Sequence, residues 1–135
     1  MSTLINLQST GGGGGGGLTS PITIAWDGQG GFITTGLTRY FVAPYACTIT
    51  GWSIVAEGTS PTCTIDVWKI AAGTSLPTVA DTITATALPA LSTGNVIRSS
   101  TLTGWTTSIA AGDILAFNID AVSNALTIKI NLELQ

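Results

Sequence analysis

The C-terminal segment sets the pattern for the chain. Leu126, Ile128, Ile130, Leu132 and Leu134 alternate with Thr127, Lys129, Asn131 and Glu133. Successive side chains of a strand point to opposite faces, so this period-2 alternation predicts a strand with one side in a core. Immediately upstream, Leu115, Phe117 and Ile119 alternate with Ala116, Asn118 and Asp120, and Val122-Ser123-Asn124 forms a short polar break. Together these segments predict an antiparallel hairpin of residues 114–121 with 125–134. A second long hairpin is expected from residues 46–57 and 62–70, turning around Gly58 to Pro61. Shorter strands are expected at Ile22 to Trp26, Tyr40 to Val42, Val96 to Thr101 and Phe32 to Thr34, with Thr82-Ile83-Thr84 as a further short candidate. No window spaces its apolar residues at helical intervals.

Seven to nine short strands separated by Gly, Pro and Ser clusters predict an all-β fold, an antiparallel β-sandwich. Residues Ala71 to Asn95 contain Pro77 and Pro89 and lack clean alternation. They read as a long connection crossing between sheets, which favours a jelly-roll or Greek-key path over a meander. No repeat of 20–50 residues is present, which argues against a propeller or solenoid.

The pattern stops at Gly11, Gly12, Gly13, Gly14, Gly15, Gly16 and Gly17. Glycine loses the most backbone entropy on ordering and has no side chain to bury, so such a run is foreign to a packed core. It reads as a flexible tether or as a stalk of extended strands held by neighbouring chains. Three parts follow: an extended N-terminal arm (1–10), a polyglycine linker or stalk (11–17) and the sandwich (18–135). Within the arm, Leu4, Ile5 and Leu7 form a short apolar motif that suits docking onto another protein by strand addition or groove filling. A tether has use only if both of its ends are held.

Composition narrows the partners. Charged residues are 8% of the chain, with 4 Lys and Arg, 7 Asp and Glu and a net charge of -3, against roughly 25% charged in an average soluble domain. A mean hydropathy of +0.48 and so few charges favour association, because net charge keeps monomers apart. The chain is therefore expected to form a homo-oligomer. Four cations cannot neutralise a phosphate backbone, which excludes nucleic acid as an expected partner. No stretch is long and apolar enough to span a membrane, and MSTLINLQST lacks the features of a secretory signal.

The chemistry of a catalyst is missing from the sequence. Histidine is absent, which removes Ser-His and Cys-His pairs and the commonest metal ligand. Asp113 and Asp120 stand at opposite ends of one strand, roughly 20 Å apart, too far to act as an acid–base pair. The acids are expected to be solvated, at strand ends and on strand faces. No enzyme activity, cofactor or metal is expected. Asp27-Gly28-Gln29-Gly30-Gly31 has one carboxylate, too few oxygen ligands for calcium, and reads as a hairpin turn. Cys47 and Cys63 are expected as free thiols, with Cys63 opposite a residue near Ala56 in the second hairpin. Trp26, Trp52, Trp68 and Trp105, with Tyr40 and Tyr45, supply aromatic faces of the kind that stack on sugar rings, but core or interface packing is the expected fate of the tryptophans. Trp68 differs. Its alternation places it with Asp66, opposite Ile65 and Val67, so the pair Trp68 and Asp66 marks either an intersubunit contact or a platform for glycan stacking.

Two stretches carry a resemblance. Tyr40-Phe41-Val42-Ala43-Pro44-Tyr45-Ala46-Cys47-Thr48-Ile49-Thr50-Gly51-Trp52 with Ile65-Asp66-Val67-Trp68-Lys69, and Ser100-Thr101-Leu102-Thr103-Gly104-Trp105-Thr106 with Ala111-Gly112-Asp113-Ile114-Leu115-Ala116-Phe117-Asn118, resemble small jelly-roll domains of tailed-bacteriophage virion proteins. The likeness covers most of residues 22–134. It implies a structural protein of the capsid decoration, head-fibre or tail-fibre-tip kind, commonly trimeric, made in the host cytoplasm and located in the virion. By the same resemblance its partners are copies of itself and capsid or tail proteins reached through the N-terminus. An alternative within the family is a receptor-binding tip that recognises host surface carbohydrate.

Overall fold

The computed structural model describes residues 20–135; the expectations for Leu4, Ile5, Leu7 and Gly11–Gly17 lie outside that span. The described residues form nine strands: β1 (Ile22–Asp27), β2 (Thr38–Val42), β3 (Cys47–Glu57), β4 (Thr62–Ile70), β5 (Ala90–Leu91), β6 (Val96–Ser99), β7 (Ser108–Ile109), β8 (Ile114–Ser123) and β9 (Thr127–Leu134). One 3-10 turn, Val79–Asp81, interrupts the stretch between β4 and β5. Two antiparallel sheets result. The first runs β1-β9-β3-β6, with β7 also pairing β3, and the second runs β2-β8-β4-β5.

The pairing has a simple logic. The chain doubles back between β4 and β5, and from there β4 pairs β5, β3 pairs β6, β2 pairs β8 and β1 pairs β9. A long antiparallel ribbon rolled into two facing sheets is a jelly roll, the path anticipated from the broken alternation of residues 71–95. The crossing itself lies at the end of that stretch, between β5 and β6, because β5 still belongs to the sheet of β4.

Both expected hairpins are corrected. β3 and β4 lie in different sheets, as do β8 and β9, and the links at residues 58–61 and 124–126 are arches that carry the chain from one sheet to the other. Alternation specifies which side of a strand is buried but not whether its neighbour in sequence lies beside it or across the core. In an arch the apolar faces of β8 and β9 meet across the sandwich; in a hairpin they would share one face. Either satisfies the same sequence. Cys63 accordingly lies opposite Leu91 and Val122 rather than near Ala56. Phe32 to Thr34 is a loop, although the Ile33 N–H donates to the Ala125 carbonyl at 2.8 Å. Thr82 makes a single bridge to Trp68. The Asp27–Gly31 turn, with Gln29 and Gly30 at φ of 54° and 91°, links β1 to β2 across the sheets rather than closing a hairpin.

The core lies between the sheets. Ile24, Ile130, Ile54 and Ile97 form one transverse row, and Ile65, Val67, Leu115, Phe117 and Ile119 face them from the other sheet, fully buried. Branched and aromatic residues pack well on a pleated surface, and each fully buried side chain of this size contributes about 1.5–3 kcal/mol. Trp26, Trp52 and Trp105 are buried as expected. The Trp105 indole N–H donates to the Ala87 carbonyl at 2.8 Å, whereas those of Trp26 and Trp52 have no protein partner.

Candidate functional site

The outward face of the second sheet holds the chain's most distinctive surface. Its pairing places Tyr40 beside Ala116 and Ala116 beside Trp68, and the next row is Val42, Ile114 and Ile70. Tyr40 and Val42 are 47% and 61% exposed, Trp68, Ile70 and Ile114 are half-buried, and Ala116 is fully covered. Two aromatics flank a small residue, with three aliphatic side chains extending the strip along the strands. No described element lies over Tyr40 or Val42. On the other side of the aromatic row are Thr38, Asn118 and Asp66, where the Thr38 hydroxyl donates to Asn118 Oδ1 at 2.8 Å.

Asp66 shares that face with Trp68, as the alternation implies, but it is not solvated. Only 5% of it is exposed. Its Oδ1 accepts the hydroxyls of Thr82 and Thr84 at 2.6 and 2.9 Å, and its Oδ2 accepts the Trp68 indole N–H at 2.9 Å. Thr82-Ile83-Thr84 reaches this position because the Ile83 N–H donates to the Val67 carbonyl, laying the segment along the edge of β4. With three donors on one carboxyl group, Asp66 has little capacity left for a ligand. Its effect is on Trp68, whose ring it holds in one orientation.

Asp113 departs from the expected solvated acid in the same way, at 5% exposure. Its Oδ2 accepts the Ala110 N–H at 2.8 Å and lies 3.3 Å from Lys69 Nζ, which also donates to the Ser108 carbonyl. Lys69 thereby ties β4 of one sheet to β7 of the other. Asp120 is exposed, the extra residue where β8 bulges against β4. These acids therefore occupy three separate environments. Among the described residues no cluster of three or more His, Cys, Asp or Glu could hold a metal. No helix among them is long and apolar enough to cross a membrane.

Cys63 is buried and Cys47 half-buried, both as free thiols. Burial pushes the Cys63 thiol up to about 11. Cys47 is also raised, first by burial and then by the nearby Asp113. Cys47 lines an apolar cleft of about 190 Å³ with Pro21, Ile22, Phe41, Tyr45 and Leu134, at the end where the described chain begins.

Of the residues singled out in sequence, Trp68 and Asp66 are brought together, with Tyr40 joining their face. The clamp from Thr82 and Thr84 and the tie from Lys69 to Asp113 were missed. The first had a signal, two hydroxyls at i and i+2 in a weak strand pattern; the second spans 44 positions and had none. Compared with protein-family models, with curated proteins and with solved structures, the chain gives no match.

Proposed function

We propose that this protein is a non-enzymatic structural component of a phage particle. In this reading a jelly-roll knob is tethered through residues 11–17 to an N-terminal arm that anchors in a capsid or tail protein, and three knobs associate. The observation that carries the reading is the apolar strip of exposed Tyr40 and Val42 with half-buried Ile114, Trp68 and Ile70 on a sandwich with few charges. Exposed apolar strips centred on rigid aromatics are what subunit contacts use. Asp66 removes the rotational freedom of Trp68 before any contact forms, which lowers the entropy cost of association.

The point where the described chain begins supports the same reading. The described chain enters at Ser20, at the end of the sandwich that also holds Leu134 and Gln135. Anchoring from that end leaves the opposite end facing away from the attachment point. The resemblance to phage virion domains supplies the setting. Particles assembled with a chain lacking residues 1–10 test the anchoring: the truncated protein is expected to be made and folded but missing from purified particles. Incorporation at the full-length level would refute it.

A further inference from the structure

The end of the sandwich opposite Ser20 is formed by loops 28–37, 58–61, 92–95 and 124–126, since Asp27 and Glu57 both pair with Thr127 there. These loops are fastened to one another through backbone. The N–H groups of Gly28 and Ile33 donate to the carbonyls of Leu126 and Ala125, and the Leu126 N–H donates to the Glu57 carbonyl at 2.8 Å. The Asn95 amide donates to the carbonyls of both Ala56 and Gly58, at 2.8 and 3.2 Å. Gly58, at φ +143°, sits so close to Asn124 that a Cβ would collide with the Asn124 carbonyl. Gln29, Ser60 and Asn124 hold left-handed backbone at φ of 54°, 49° and 57°. The loops are thus preset rather than pliant.

Into this fixed frame is set a pocket of about 370 Å³ lined by Phe32, Gly58, Thr59, Asn124 and Leu126. Phe32 is 63% exposed. None of the five carries a charge, so the lining favours a neutral ligand over an ion. It offers an aromatic face, a hydroxyl, a primary amide and backbone groups held in place, the combination that stacks on and hydrogen-bonds a polyhydroxylated ring.

We propose that this pole pocket binds a neutral saccharide, with Phe32 stacking against a sugar ring and Thr59 and Asn124 bonding its hydroxyls. The outward direction of the pocket rests on the tethered-knob reading; its chemistry does not. The site is separate from the Trp68 face, which lies along the side of the second sheet.

Isotope-labelled full-length protein titrated with maltotriose, cellotriose and the trimer of N-acetylglucosamine provides the test, read through backbone amide shifts. At least one of the three is expected to move the amides of Phe32, Gly58, Thr59, Asn124 and Leu126, saturating with a Kd of about 1 mM. Phe32→Ala should weaken that binding at least tenfold, and Trp68→Ala should leave it unchanged. Silence from all three sugars overturns the proposal, as do shifts confined to the Trp68 face or a stronger response to sialyllactose. Should Phe32→Ala fail to fold, Thr59→Val and the map from the unmodified chain decide the matter. A negative result here leaves arm anchoring untouched, and failed anchoring leaves this binding untouched.

Discussion

The two outward faces of the sandwich are built from the same period-2 alternation, yet they differ in what they present. On the first sheet the rows read Thr23, Asn131, Ser53, Arg98 and then Ala25, Lys129, Val55, Val96. Its polar groups bond locally: the Thr23 hydroxyl donates to Asn131 and the Asn131 amide to Ser53. Arg98 meets Glu133 at 2.7 Å with 74% of its side chain exposed. The second sheet presents Tyr40, Ala116 and Trp68 above a buried carboxyl group that three donors hold. One face has polar side chains bonded to one another. The other has an apolar strip in which Trp68 is held by Asp66, and Tyr40 and Val42 are exposed. The proposed contact between copies therefore uses the second sheet.

Substitutions that attack each face should separate them by size. Asp66→Ala removes the acceptor of three groups, two of them from buried or partly buried residues, and should cost about 3 kcal/mol in a denaturant titration. A loss below about 1 kcal/mol would mean that the clamp on Trp68 is incidental. Lys69→Met should cost about 2–3 kcal/mol, because Asp113 stays buried without its cation. A change near zero would remove the tie between sheets from the account. Arg98→Ala on the first sheet should leave the denaturation midpoint almost unchanged, because exposed ion pairs contribute little.

How much of this was legible in the sequence depended on the range of the interaction. Every long strand was readable, because alternation is a local signal and Ile128, Ile130 and Leu132 keep it without a break. The jelly roll was legible only through its irregularity, the prolines and broken pattern between Ala71 and Asn95. Partners across space were not. Gly58 to Pro61 and Asn124 to Leu126 suit an arch as well as a hairpin, and the choice is made by the opposing sheet. For the site, the side of the strand occupied by Trp68 and Asp66 was readable, but the burial of Asp66 was not. That burial comes from Thr82 and Thr84, 16 and 18 positions further along the chain.

Two pH effects sharpen the picture and are smaller. The Cys63 thiol is raised from 9.0 to about 11 in the folded protein, so the unfolded chain ionises first. Its share of stability is complete below pH 9 and is lost as pH rises towards 11. Thermal melts across that window should show a decline that Cys63→Val flattens. An equal decline in the variant would assign the loss to other groups. Glu133 is lowered from 4.5, first by its hydrogen bond from Arg98. Its contribution is present above pH 4.5 and fades as pH falls, and Arg98→Ala should remove that small acid dependence.

The proposed self-association through the second sheet is tested most directly by sedimentation equilibrium of the full-length chain beside a Trp68→Glu variant. The account predicts a species of three 13.7 kDa chains for the unmodified protein and a folded monomer for the variant. A monodisperse monomer of the unmodified chain, or a variant that sediments as it does, would contradict it.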